Sequence, residues 1–214
     1  MEIPGGPPEA CPGSLRLEEL PVGTRLLRIH RADVPPLAYN ERVPEMPWEG
    51  GRFDNVRPGD GYAYAGQDML TAVAETLLHK MCADAGASLV PRAAIAGKAV
   101  TTLEVAAPLG VLAMHGDGLI GARVPPSVFA CEPLGYETTR GWAESMRGWK
   151  PEAAGIAWRS RFTNDGLSYV LYRSAVPAGA LRVADGPLPL DGGDGLERLL
   201  DVLRPLRFTM ATPR

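Results

Sequence analysis

The chain has 214 residues, of which 45% are hydrophobic and 22% are charged, with a formal net charge of -3. A chain of this length can bury one sizeable core, so we expect a single domain over residues 21–214 after a flexible Pro/Gly-rich tail over residues 1–20. Lysine and arginine are scattered along the chain rather than clustered on one segment. This charge pattern argues against a nucleic-acid partner.

The cysteines and the N-terminus point to a reducing compartment. Cys11, Cys82 and Cys131 are far apart and show no C-x-x-C spacing, so neither a disulfide framework nor a thiolate metal site is expected. The first thirteen residues lack the basic start and apolar core of a secretory signal, and no apolar run approaches the length of a membrane span. We therefore expect a cytoplasmic protein that does not contact a membrane.

The first predicted elements are a strand, a long loop, a second strand and a helix. TRLLRIHRA at residues 24–32 predicts a strand, and the aromatic segment GYAYAG at residues 61–66 predicts another. Asp68 is placed to cap the helix that follows, and Gly86 is placed to end it. The apolar stripe of this helix has helical spacing and comprises Leu70, Ala74, Leu77, Leu78 and Met81.

The second half of the chain predicts more strands than helices. Asn164, Asp165 and Gly166 predict a turn between its last two strands, and large side chains on both faces of the later strand place it inside a sheet. Because strands and helices do not alternate regularly, the predicted fold class is α+β. The predicted strands are 93–106, 108–116, 153–162 and 166–174, and the predicted helices are 134–148 and 195–206.

Several common kinds of site are absent from the sequence. There is no Walker P-loop and no G-x-S-x-G nucleophile motif. His30, His79 and His115 are isolated from one another, and none has the spacing of a zinc ligand set. We therefore expect no metal cofactor.

The remaining candidates lie in a segment that holds an arginine, two tyrosines and a glutamate close together. Each has a purely structural interpretation: Arg52 pairs with a surface carboxylate, Glu75 is a solvated helix residue, and Tyr62 and Tyr64 fill a core. Ser160, at a predicted strand end, would only bond a neighbouring backbone group. Taken one at a time, these residues do not define a function.

Taken together, they resemble the RES domain family, which is named for an arginine, a glutamate and a serine. The resemblance runs from about Thr24, where RLLRIHR is similar to the opening strand of the family, to about Tyr172. The segments that carry it are GGRF (50–53), YAYAG (62–66), LTAVAE (70–75), GIAWRSRF (155–162) and GLSYVLY (166–172).

This resemblance implies a compact domain of the ADP-ribosyltransferase type, with a split central β-sheet, flanking helices and a cleft for NAD. RES proteins are often the toxin of a toxin–antitoxin pair, and characterised members consume NAD at the nicotinamide–ribose bond. The implied enzyme is an NAD glycohydrolase, an NAD phosphorylase or an ADP-ribosyltransferase. The implied partners are NAD as substrate, a cognate antitoxin, and an acceptor that is water, phosphate, a protein or a small molecule.

The resemblance also assigns roles to individual residues. It places the family arginine, glutamate and serine on Arg52, Glu75 and Ser160, which become the expected catalytic residues. Glu75 would stabilise the charge that develops on the ribose. The residues expected to bind NAD are Arg28, Arg52, Tyr64, Tyr62, Ser160 and Arg161, and spacing alone favours Tyr64 over Tyr62 as the family tyrosine.

Two alternatives stay open at this point. The chain could be an inactive RES-fold module that binds NAD, ADP-ribose or a protein, or it could transfer a ribosyl group to a small molecule in metabolism. The loop after GRF departs from the family pattern of Asn-Pro-Pro-Gly, because residues 54–59 read DNVRPG. The loop at 35–50 and the segment after Tyr172 have no counterpart in the family, so the acceptor is not identified.

Overall fold

The structure is a computed structural model that describes residues 3–78 and 88–211. Within these residues the strands are β1 (Leu17–Leu20), β2 (Arg25–Arg31), β3 (Tyr62–Gly66), β4 (Leu89–Val90), β5 (Lys98–Val105), β6 (Leu109–Met114), β7 (Gly155–Arg159), β8 (Leu167–Tyr172), β9 (Leu181–Pro189) and β10 (Thr209–Met210). The helices are α1 (Met69–Thr76), α2 (Gly116–Ala122), α3 (Ser127–Ala130), α4 (Tyr136–Trp149) and α5 (Gly193–Leu203). This mixture confirms the predicted α+β class.

The main sheet is mostly antiparallel and has the strand order β1-β6-β7-β8-β3-β2-β5-β9. Only β6 and β7 within it run parallel to each other. The hairpin predicted around residues 164–166 forms, because β7 and β8 are antiparallel neighbours. β8 lies between β7 and β3, as its large side chains on both faces predicted.

The sheet opens at its centre. β2 and β3 share a single residue pair, Leu27 with Gly66, whereas β2 and β5 are paired along seven residues from Arg25 to Arg31. The strands on either side of this point therefore diverge, which confirms the predicted split in the sheet. A cavity forms at the gap between β2 and β3.

The helices pack on the two halves of the sheet. Trp142 and Met146 of α4 join the apolar core over β6, β7 and β8, where α2 and α3 also pack. On the other half, Val73 and Leu77 pack with Leu199 of α5 over β2 and β5. None of the helices in the described part of the chain is long and apolar enough to cross a membrane.

Helix α1 begins as the sequence predicts. Asp68 is its N-cap, and the carboxylate accepts a hydrogen bond of 2.7 Å from the backbone N–H of Thr71. Most of the predicted apolar stripe is buried, although Leu70 at its first turn is exposed. His79, Met81, Cys82 and Gly86 lie outside the described residues.

The N-terminal segment differs from the expected flexible tail over residues 1–20. Leu17–Leu20 form β1, which pairs with β6 in the main sheet. Before that strand, the carbonyls of Gly5 and Glu9 accept hydrogen bonds from the indole N–H groups of Trp142 and Trp149. The segment is held in place because its backbone carbonyls satisfy these two indole donors on α4.

Candidate functional site

A cavity of about 350 Å³ lies at the split in the sheet, between the strands, helix α1 and the loop at residues 50–54. We call it the α1 cavity. Its volume falls in the range of small-molecule sites in proteins. The strand residues that line it are Leu27, Ile29, Tyr62, Tyr64, Ala65, Gly66, Trp158 and Ser168, and the remaining lining residues are Asn40, Gly50, Gly51, Arg52, Asp54, Thr71, Ala72, Glu75, Thr76, Tyr136 and Phe162.

Glu75 reaches this cavity from α1. Its side chain is half-buried, and Oε1 is fully buried without a hydrogen-bond partner. The helix lies close to β3 because residue 66 is glycine, since a Cβ atom there would lie 2.6 Å from the backbone nitrogen of Ala72. Gly66 therefore lets α1 approach the sheet and hold the Glu75 carboxylate over the split.

Arg52 reaches the cavity from the loop before β3. It is only 5% exposed, its Nε atom is buried without a partner, and its guanidinium carbon lies 5.6 Å from the centre of the Tyr136 ring. The loop is anchored by the neighbouring Phe53, whose ring is fully buried against Trp158. Thr139 of α4 fixes the backbone by donating a hydrogen bond of 2.7 Å to the Arg52 carbonyl.

Asp54 locks this loop to β3. Its carboxylate accepts hydrogen bonds of 2.8 Å from both the backbone N–H of Gly51 and the hydroxyl of Tyr64. The Tyr64 hydroxyl in turn accepts a bond of 2.9 Å from the N–H of Phe53. Arg52 therefore stands on a loop that is fixed on both sides, so it is positioned before any ligand arrives.

Both predicted tyrosines line the cavity, and they differ in the part of the side chain that can contact a ligand. Tyr62 is almost fully buried, and its hydroxyl is bonded to Asn40 and to the carbonyl of Arg42. Tyr64 is half-buried, and since its hydroxyl already bonds Asp54 and Phe53, the ring is what it can present to a ligand. Burial, reinforced by the Asp54 carboxylate, raises the pKa of Tyr64 well above its usual value, so the phenol stays neutral.

Arg28, which was predicted to bind NAD, is not among the residues that line the α1 cavity. Successive side chains of a strand point to opposite faces, and Leu27 and Ile29 on either side of Arg28 line the cavity. Arg28 is therefore directed to the other face of β2, where its Nη1 donates to the Pro36 carbonyl at 3.0 Å. Burial at that position lowers its pKa from the usual value.

Ser160 and Arg161 are also absent from the lining of the α1 cavity. Ser160 is completely buried, and its hydroxyl accepts a hydrogen bond of 3.2 Å from the backbone N–H of Phe162. Arg161 is directed towards α3, where it forms an ion pair of 2.7 Å with Glu132 and donates to the Ala130 carbonyl. Both side chains already have internal partners in the fold.

The serine that lines the cavity is Ser168 of β8, which is not among the predicted site residues. It is 3% exposed, and its Oγ has no hydrogen-bond partner. The alternation of β8 indicates that this position is unusual. Val170 and Tyr172 on the same face are large buried residues, and Ser168 is the small polar exception. A small polar residue in such a row marks a place where the apolar core stops.

Unpaired buried polar atoms concentrate around the α1 cavity. Among the described residues, five of the eight buried side-chain nitrogen and oxygen atoms without a partner belong to residues that line it. Leaving a buried polar group unpaired costs about 1–3 kcal/mol, so native proteins rarely keep several in one place without a ligand to satisfy them. The five atoms are Arg52 Nε, Thr71 Oγ1, Glu75 Oε1, Trp158 Nε1 and Ser168 Oγ.

Arg52 and Glu75 line the cavity with opposite charges and are not paired with each other. No ion pair within 4.0 Å involves Arg52 or Glu75 in the described part of the chain. Both charges nevertheless act on the hydroxyl of Tyr136: burial raises the pKa of Tyr136, the Arg52 guanidinium lowers it, and the Glu75 carboxylate raises it further. The two charges thus face one small volume and remain available to a ligand.

These features define an α+β protein with a split sheet and a cavity that offers an arginine, a tyrosine ring and a glutamate. The sequence model of the RES domain matches residues 25–191, more than half of the chain, and this chain belongs to the RES domain family. No curated protein sequence matches it.

A solved structure confirms the fold. A chain from the crystal structure of the M. tuberculosis MbcT–MbcA toxin–antitoxin complex superimposes with a TM-score of 0.54 at 14% sequence identity. The match covers 78% of this chain and 84% of that chain. At this level of identity the similarity supports a shared fold.

Proposed function

We propose that this protein is an enzyme that binds NAD in the α1 cavity and cleaves the bond between nicotinamide and ribose. The observation that carries the proposal is that two charged side chains without an ion-pair partner, Arg52 and Glu75, line the same preformed cavity. NAD has a chemical counterpart for each of them. Its pyrophosphate is anionic, and its ribosyl carbon becomes cationic as nicotinamide leaves.

Glu75 is the group that acts on the reacting bond. Loss of nicotinamide develops positive charge at the ribosyl C1′, as in glycoside hydrolysis, and a carboxylate beside that carbon stabilises it. Because Oε1 has no protein partner, the carboxylate is free to face C1′ or to accept a hydrogen bond from the ribose hydroxyl. In this proposal the carboxylate also accepts the proton of the incoming nucleophile.

Arg52 and Tyr64 hold the substrate in the reactive pose. Arg52 is the cationic side chain among the described residues that line the cavity, so it receives the pyrophosphate through the fixed fork of its guanidinium. The half-buried ring of Tyr64 offers its π face to the cationic pyridinium. That attraction weakens once the ring leaves as neutral nicotinamide, which favours its release.

Purified protein incubated with NAD should release free nicotinamide, which chromatography quantifies directly. The second product identifies the acceptor: ADP-ribose for water, its phosphate ester for inorganic phosphate, and a labelled protein band for a protein side chain. A protein that releases no nicotinamide at any phosphate concentration, with or without cell extract, is not the enzyme we propose.

We also propose that the protein acts as the toxin of a toxin–antitoxin pair. The support is its family and its fold similarity to a chain of the MbcT–MbcA toxin–antitoxin complex. Since toxicity would follow from loss of NAD, induced expression in bacteria should arrest growth and lower cellular NAD together. Expression of the Glu75→Gln variant at the same level should do neither, and growth arrest by both proteins would show that toxicity has another cause.

A further inference from the structure

The floor of the α1 cavity holds two unpaired polar groups side by side. Trp158 of β7 and Ser168 of β8 are direct cross-strand partners, and Ser168 is in turn paired with Gly66 of β3. Cross-strand partners present their side chains on the same face of the sheet. The row from Trp158 through Ser168 to Gly66 therefore crosses the floor of the cavity. Gly66, at the end of this row, has no side chain.

Both polar atoms in this row lack a protein partner. Trp158 is 2% exposed and Ser168 is 3% exposed, and neither the indole Nε1 nor the serine Oγ makes a hydrogen bond. Trp158 is held rigidly, because its ring makes edge contacts with Phe53 and Tyr64. Buried indole N–H and hydroxyl groups normally find partners, so this pair is arranged for a polar group of a ligand.

We propose that Trp158 and Ser168 form a subsite for the carboxamide of the substrate's pyridinium ring. The indole can only donate, so it takes the amide carbonyl, and the serine hydroxyl accepts from the amide N–H. This inference rests on the proposed function and adds to it the groups that select an amide. It makes Ser168, rather than Ser160, the serine that touches the substrate.

The Glu75 carboxylate disfavours a second carboxylate at this position. Glu75 lines the same cavity, and its negative charge would repel the carboxylate of a nicotinic acid ring. The cavity wall also includes the apolar side chains of Leu27 and Ile29, which suit a flat ring. Recognition by the floor pair would therefore orient the ring and place its glycosidic bond towards α1.

The test compares NAD with 3-acetylpyridine adenine dinucleotide, in which a methyl ketone replaces the amide and the N–H donor is lost. For Ser168→Ala we expect kcat/KM with NAD to fall roughly threefold to tenfold, the usual effect of one neutral hydrogen bond, while kcat/KM with the ketone analogue stays within about twofold. Ser160→Ala, a buried serine outside the cavity, is the matched control and should leave the ratio of the two substrates unchanged.

A second variant tests the contact with the carbonyl group. Trp158→Phe removes the indole N–H that serves the carbonyl present in both substrates, so both should lose kcat/KM to a similar extent. Equal losses for both substrates in Ser168→Ala, or none, would overturn the inference while leaving NAD cleavage by the wild type intact. If the wild type cleaves neither dinucleotide, the proposed function itself fails and this inference falls with it.

Discussion

Replacing Glu75 by glutamine should lower the rate of nicotinamide release by about 10²- to 10³-fold, the usual effect of removing one charge-stabilising group from an active site. Glutamine keeps the size of the side chain and loses its negative charge. Because the buried Oε1 atom has no partner in the fold, loss of the negative charge should leave stability unchanged or improve it. Single-turnover kinetics measures the effect, and urea unfolding confirms that the variant is folded.

The control for this substitution is Glu197→Gln. Glu197 lies on α5, exposed and far in sequence from the cavity residues. The Glu197→Gln variant should retain wild-type turnover, because the change in charge is the same but the residue lies outside the cavity. Full activity in Glu75→Gln would show that another group stabilises the ribosyl cation.

Replacing Arg52 by lysine should weaken substrate use even though the charge is kept. A guanidinium can donate two parallel hydrogen bonds to a pyrophosphate, and an ammonium cannot reproduce that fork. We expect kcat/KM for NAD to fall roughly 10- to 100-fold, which corresponds to about 1.4 to 2.8 kcal/mol. The loss should appear mainly in KM, because Arg52 holds the phosphates in both the ground state and the transition state.

Arg204→Lys provides the matched control for this effect. Arg204 is an exposed residue at the end of α5 that pairs with Asp201 on the surface, so its replacement should change KM by less than about twofold. An Arg52→Lys enzyme with a wild-type KM would mean that the pyrophosphate does not contact residue 52.

Local pattern was enough to predict the elements that build the cavity. The alternation of β3 and β8, the Asp68 cap of α1 and the turn at residues 164–166 each depend on a few neighbouring residues. The loop from Gly50 to Asp54 is also a short local segment, and its resemblance to the family was enough to assign it to the site. The structure brings Arg52, Tyr64 and Glu75 to one cavity, and their chemical roles stay predictions.

Elements that depend on tertiary context were missed. β9 is largely exposed and contains two prolines, yet it forms because it is the edge strand beside β5, where a missing N–H on the outer side costs nothing. Helix α2 contains three glycines that lower its helix propensity. One of them, Gly118, is required by packing, because a Cβ atom there would lie 2.3 Å from the Ala113 carbonyl oxygen.

Two predicted site residues, Arg28 and Ser160, do not line the α1 cavity, and the reason is the direction in which side chains point along a strand. In the sequence, apolar residues occupy both faces of the strand around Arg28, at Leu26, Leu27 and Ile29, so its face cannot be assigned from the pattern alone. Pairing across the sheet decides it, since Leu27 meets Gly66 at the split and Arg28 must then face the other way. Likewise, Ser160 lies just after the end of β7, whereas Ser168 lies within β8 on the cavity face.

The most direct test of the account is a crystal structure of the Glu75→Gln variant with intact NAD. We expect the pyridinium ring on the floor formed by Trp158 and Ser168, C1′ of its ribose beside residue 75, and the pyrophosphate at the guanidinium of Arg52. NAD bound in the cavity along α4 that Arg57, Arg140 and Arg147 line, or bound with its glycosidic bond away from residue 75, would contradict the account.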